Sequence, residues 1–148
     1  MTSKLILKGF GYFERRKKDG TKIDSWECDN LVVTTGKVQV AKLLNGIDIV
    51  SFDTIAIGED DSSPVGVGET ELGSEVARAL ASLSYEATAK AIFEHTFTFA
   101  TAESYAITEA GIFNNQSAGG DMLDRFVFTA KDVDVGTDLY VKITITVA

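Results

Sequence analysis

Few residues in this chain have the types and spacing to do chemistry. With one cysteine, Cys28, and one histidine, His95, a nucleophile and base pair can be built in only one way, as a Cys28 thiolate relieved of its proton by His95. Cys28 sits beside Trp26 in a strand-like run, and His95 alternates with Phe93, Phe97 and Phe99. That alternation puts the imidazole on the apolar face of a strand, where a core or interface histidine is expected rather than a base. One thiol and one imidazole also fall short of a zinc ligand set, and a lone cysteine makes no internal disulfide. Neither a catalytic nor a metal site is expected, and no cofactor.

Carboxylates gather at Glu59-Asp60-Asp61, with Glu69 and Glu71 nearby. Their oxygens suit Ca2+, yet the ligand order of an EF-hand loop is absent, so a solvated acidic loop is the expectation. Gly66-Val67-Gly68-Glu69-Thr70-Glu71-Leu72-Gly73 lacks the Lys-Ser/Thr of a phosphate loop, and its two glutamates repel phosphate. One pairing has structural logic. If the polar stretch Asn114–Asp121 is a hairpin loop centred near residue 117, Glu109 faces Arg125 as a cross-strand salt bridge. Glu75 and Arg78 are close enough in sequence to be expected in the same network.

Charge is unevenly spread over the 148 residues, whose net charge is −8. Residues 1–22 carry seven basic and two acidic side chains, a net +5, which leaves −13 for the rest. The densest basic run, Arg15-Arg16-Lys17-Lys18, precedes Asp19-Gly20, a hairpin-turn signal, and is therefore expected at a loop tip. With Asp60 and Asp61 as acidic counterparts, it suggests a head-to-tail contact between copies that closes into a ring. An acidic chain repels phosphate backbones, so nucleic acid is not an expected partner. The N-terminus shows no signal-peptide pattern and no segment nears the ~20 apolar residues of a membrane span, which predicts a soluble intracellular chain with no membrane partner.

The elements that must position these residues are mostly strands. Residues 5–13 and 21–28 read as a basic N-terminal hairpin (1–28) packed on or projecting from one domain spanning residues 1–148. Thr35 is expected to cap a helix over 36–44 that stops at Asn45-Gly46, with Val40, Leu43 and Leu44 on one face. A strand at 52–58 opens into the loop 59–68, a candidate partner-binding loop, and one or two helical turns are expected across 71–79. Strands at 91–99, 104–113, 122–129 and 139–147 follow, the last alternating apolar and polar without a break. The predicted fold is mainly β, an antiparallel sandwich or flattened barrel with one or two short helices.

The order of segments carries a resemblance. Asn30-Leu31-Val32-Val33-Thr34-Thr35-Gly36 runs into a helix, and 52–58 leads to an acidic Gly/Pro loop. Glu71-Leu72 and Glu75-Val76-Ala77-Arg78 come next, then Phe97-Thr98-Phe99, and last Glu109-x-Gly111-Ile112-Phe113 with Leu123-Asp124-Arg125. Over roughly residues 30–148 this order resembles small tailed-bacteriophage virion proteins and the N-terminal attachment domains of phage tail fibres. The resemblance implies a non-enzymatic structural part, assembled in the bacterial host cytoplasm into the virion as a homo-oligomer, a ring or trimer, against neighbouring tail or capsid proteins. A tail-associated adaptor at the collar, baseplate periphery or fibre attachment fits best, since neither a shaft nor a receptor-binding tip is present in the sequence. The alternatives are a capsid decoration protein and, from another class, a carbohydrate-binding sandwich that stacks sugars on Trp26, Tyr85 or Tyr105.

Overall fold

The computed structural model describes residues 4–60 and 66–148. Among them ten strands and one helix follow one another: β1 (Leu7–Lys17), β2 (Lys22–Asp29), β3 (Leu31–Val32), α1 (Thr34–Asn45), β4 (Thr54–Gly58), β5 (Glu75–Leu80), β6 (Ser82–Glu86), β7 (Lys90–Phe97), β8 (Ser104–Phe113), β9 (Met122–Asp134) and β10 (Thr137–Val147). They build two antiparallel sheets of five strands, ordered β2-β1-β10-β7-β6 and β3-β9-β8-β4-β5. The architecture is thus the expected β-sandwich with a short helix, open rather than closed into a barrel. Single residues, Asn30 and Ala81, separate β2 from β3 and β5 from β6, so each lateral edge is one chain segment crossing between sheets. Among the described residues no helix is long and apolar enough to cross a membrane.

The core lies between the sheets, where Phe13, Phe93, Val141 and Ile143 of the first meet Ile55, Ile57, Ile112 and Phe126 of the second. Alternation places them there. In β10 the odd residues Leu139, Val141, Ile143 and Ile145 are buried, while Tyr140, Lys142, Thr144 and Thr146 are half-exposed, as the period of two requires. Phe93, Phe97 and Phe99 are likewise buried.

Four local expectations are corrected. The basic run is only partly a loop tip: β1 continues through Arg16↔Asp138 and Lys17↔Thr137, so Arg15 to Lys17 are strand residues and only Lys18 enters the turn. There Gly20 takes φ 89° and its N–H donates to the Lys17 carbonyl at 2.9 Å. Thr35 does not cap α1. Val33 is the N-cap and makes no side-chain cap bond, while the Thr35 hydroxyl donates to the Met122 carbonyl at 3.3 Å, tying the helix start to β9. The expected C-terminal stop is present, with Gly46 left-handed at φ 73° and its N–H donating to the Lys42 carbonyl. Leu44, assigned to the apolar face with Val40 and Leu43, is largely exposed instead.

Residues 75–80 form a strand, not helical turns, because β4 offers them a ladder from Thr54↔Leu80 to Gly58↔Glu75, and tertiary pairing overrides weak local helix propensity. β6, which is not among the strands expected from the sequence, is exposed throughout its length.

The helix is seated closely on β9. A Cβ added at Gly36 would lie 2.6 Å from both the Cα and the carbonyl oxygen of Leu123. Gly36→Ala is therefore expected to lower stability by about 1–3 kcal/mol through overpacking against backbone. Gly68→Ala, where an added Cβ meets nothing within 4 Å, should change it by less than about 0.5 kcal/mol. Urea midpoints of the two variants check this.

Candidate functional site

β8 and β9 form the hairpin that carries Glu109 and Arg125. They are not directly opposite one another: Glu109 faces Val127 and Gly111 faces Arg125, so the hairpin is centred one residue later than the composition of its loop predicts. Register shifts at Ile107/Glu109 and Ile112/Phe113 adjust the ladder on either side. The two charges are diagonal neighbours on one face, within reach for long side chains. Their alternation partners Ala110, Ile112 and Phe126 point into the inter-sheet core, so the pair occupies the other face of the sheet.

That face is nonetheless dry. Glu109 is 0% and Arg125 1% exposed, because the segment before β5 folds over them. Arg125 Nε donates to Glu109 Oε1 at 3.0 Å, and Nη1 donates to both Glu69 carboxylate oxygens, at 2.9 and 3.1 Å. Nη2 reaches the Asp60 carbonyl at 3.3 Å. Glu109 in turn accepts backbone N–H groups from Gly73 and Ser74, each at 2.8 Å, and from Asp60 at 3.0 Å. Every guanidinium nitrogen donates and both carboxylate oxygens accept, the condition under which a buried ion pair offsets its desolvation. What this cluster does is hold the chain on either side of residues 61–65 against the sheet. Beneath the latch, Leu72 packs into a small second core with Val33, Ala56, Phe113 and Met122.

Glu75 and Arg78 stand outside this cluster. Arg78 pairs with Glu75 at 2.6 Å, lays its guanidinium 4.3 Å from the centre of the Phe113 ring, and donates to the Asn115 and Gly119 carbonyls at 2.7 and 2.9 Å. It ties β5 to the β8–β9 loop, a second latch beside the first. The unanticipated members of the main cluster are Glu69 and the backbone of residues 60, 73 and 74. No short-range pattern marks them, since they are brought in by a loop docking from a distance.

A second buried acid follows directly in sequence. Asp124 is 0% exposed, accepts the Ile112 N–H at 3.0 Å through Oδ1, and contacts the Asn30 amide through Oδ2. Burial pushes its pKa to about 8, well above the usual carboxylate range, with the two hydrogen bonds opposing. A protonated Oδ2 can donate to the Asn30 amide oxygen, which otherwise has no partner, once that amide is turned over. At neutral pH Asp124 is thus a carboxylic acid at the junction of β3, β8 and β9.

The remaining candidates are separated or occupied. Cys28 on β2 and His95 on β7 lie three strand spacings apart in one sheet, about 14 Å, so they make no nucleophile and base pair. Burial raises the thiol pKa and lowers that of the imidazole, which stands edge-on to Phe97 with 4.6 Å between ring centres. In the basic run, Arg15 pairs with Asp24 at 2.7 Å and Arg16 with Glu14 at 2.7 Å, while the Arg16 guanidinium covers the Tyr140 ring. Lys18 pairs with Asp138. These cations are matched within the chain.

The acidic loop is not simply solvated: Glu69 holds Arg125, and Glu59 Oε2 accepts the Ala106 N–H at 3.0 Å. Asp61, with half of the expected partner-binding loop, lies outside the described residues. Among the described residues no group of three or more His, Cys, Asp or Glu is arranged to hold a metal ion. Of the aromatic platforms, Trp26 stacks on Phe13 with 5.4 Å between ring centres, and Tyr105 bonds Glu103 through its hydroxyl, whereas Tyr85 is 83% exposed.

Two outcomes test this description. Glu109→Gln, which leaves Arg125 buried with half its compensation, should cost on the order of 3–5 kcal/mol in denaturant unfolding. Glu69→Gln, at the wetter end of the same guanidinium, should cost about 1 kcal/mol. Asp124 titrates upward in the fold, so its neutral form is the stabilising one: that contribution is intact below the unfolded value near 3.8 and is lost as pH rises to about 8. Unfolding measured across that range should show wild type weakening relative to Asp124→Asn until about pH 8 and running parallel to it above. Comparison with protein-family models, with curated proteins and with solved structures finds no match to this chain.

Proposed function

We propose that the chain is a structural component of a tailed-bacteriophage virion, a tail-associated adaptor at the collar, baseplate periphery or fibre attachment that acts through protein–protein assembly. One observation carries the reading. Two of the pieces that carry the resemblance, Glu109-x-Gly111-Ile112-Phe113 and Leu123-Asp124-Arg125, come together in one hairpin, where Glu109 and Arg125 make a buried latch beside a small core that includes Phe113. Motif residues spent on holding a loop to a sheet are what a shared assembly scaffold requires, and they leave no reactive group free at that place.

The surface supports the same reading. Leu5, Leu44, Ile47 and Ile49 are each more than 60% exposed. Leu5 and Leu44 line a groove of about 500 Å³ between the N-terminal segment and α1. Exposed apolar side chains lining a groove, as Leu5 and Leu44 do, are covered when a protein assembles with partners. The cations of β1 serve first to stitch β1 to β2 and β10, so the head-to-tail contact through Arg15, Arg16, Lys17 and Lys18 is secondary to this apolar surface.

Purified phage particles carrying a gold-labelled copy of the chain test the proposal by electron microscopy. Label at the tail or its collar is the expected result. Label spread over the head would replace the adaptor by a capsid decoration protein, and particles free of the chain would overturn the virion reading altogether.

A further inference from the structure

The four lateral strands of the sandwich are not equally protected. β2 carries Lys22, Asp24, Glu27 and Asp29 and is paired to β1 across a register shift at Arg15/Arg16. β3 is two residues long, and β5 is broken from β4 by a shift at Ile57/Gly58. Charges, short length and bulges are the devices that keep an edge from pairing with another chain. β6, Ser82-Leu83-Ser84-Tyr85-Glu86, has none of these over its first four residues: no charge, no proline and an unbroken register against β7. Among the described residues no strand pairs with its outer edge.

The side chains at this edge are unusual in a second way. Leu83 is opposite Phe93 and Tyr85 opposite Ala91, which places both on the core-facing side of the sheet. Yet Phe93 is 6% exposed, whereas Leu83 is 55% and Tyr85 83%. The core face therefore runs on past the cover provided by the second sheet and ends in two apolar side chains without a roof.

We propose that β6 pairs antiparallel with β6 of a second copy of this chain, about a two-fold axis at Ser84, joining the two first sheets into one of ten strands. The occupant follows from the sequence of the strand itself. In that register Leu83 meets Tyr85 of the other copy on the core-facing side, twice, and Ser82 meets Glu86, twice. Aromatic against aliphatic is a favourable cross-strand pair, and no like charges are opposed. Glu86 keeps Lys90, 3.8 Å away, as its partner within its own chain. Such a contact is isologous and closes on itself, which distinguishes it from a head-to-tail ring. The inference does not depend on the virion reading: a dimer missing from particles would leave it standing, and a monomer found in particles would leave that reading standing.

Full-length protein is tested by sedimentation and by cross-linking. Sedimentation equilibrium should give twice the 15.9 kDa chain mass, and Leu83→Lys, at a site exposed enough to leave the monomer folded by circular dichroism, should return it to the single-chain mass. In a Cys28→Ser background, Ser84→Cys lies opposite itself, with Cα atoms at the 4.5–5.5 Å of directly opposed strand residues, inside the range a disulfide spans. Ser82→Cys lies about 14 Å from its copy by strand geometry. Under mild oxidation Ser84→Cys should form covalent dimer about tenfold faster than Ser82→Cys. A single-chain mass for the wild type, a dimer that survives Leu83→Lys, or equal cross-linking at the two positions would each overturn the proposal.

Discussion

The arrangement of the second sheet depends on one interaction, the Arg125–Glu109 ion pair on its outward face. Strands β4, β8 and β9 present a surface that would otherwise meet water, and a bare guanidinium and carboxylate there would be worth little. Once the chain around residues 60 and 69–74 closes over it, the same pair becomes dry and would be ruinous if left half-compensated. The loop supplies the compensation as it supplies the cover: its N–H groups complete Glu109 and its Glu69 completes Arg125. Loop and ion pair are therefore conditional on each other. Leu72 of the same segment joins Val33, Ala56, Phe113 and Met122 in the small core beneath them.

Adjacent residues of β9 solve the problem of a buried charge in opposite ways. Arg125 keeps its charge because the outward face can recruit carboxylates and peptide dipoles from a loop. Asp124, opposite Ile112, finds one backbone N–H and an amide and no cation among its hydrogen-bond partners, so holding a proton is the less costly state. The alternation of a strand turns two neighbouring charged residues into an ionic latch and a neutral hydrogen-bonding group. Arg15, Arg16, Lys18 and Arg78 each hold one segment to another, Arg16 through the Tyr140 ring and Arg78 through the Asn115 and Gly119 carbonyls.

Much of this was legible in the sequence, and for identifiable reasons. A period of two over Leu139 to Val147 and over Phe93 to Phe99 cannot bury its apolar members except as strands, and Asn114 to Asp121 is too polar and glycine-rich to be other than a turn. The left-handed stop at Gly46 was visible too, because the C-terminal signal of a helix is local. The partnership of Glu109 and Arg125 followed from the hairpin even with its centre misplaced by one residue, because a diagonal pair on one face tolerates that error.

Expectations failed where a distant segment decides. Residues 75–80 lie in a strand because β4 is beside them, and the helix start is tied by the Thr35 hydroxyl to the Met122 carbonyl rather than by a side-chain cap. The basic run reads as a solvated tip until β10 extends β1 through Arg15 to Lys17, leaving only Lys18 in the turn. Glu69 was counted as a repulsive charge in a glycine-rich loop, and its role as the second carboxylate of Arg125 requires a contact across 56 residues. Local periodicity and turn chemistry thus determined the class of fold and the hairpin that carries the charges, since both act within a few residues. Tertiary structure alone decided which charges are dry and what compensates them, because burial belongs to the assembled surface and no residue carries it by itself.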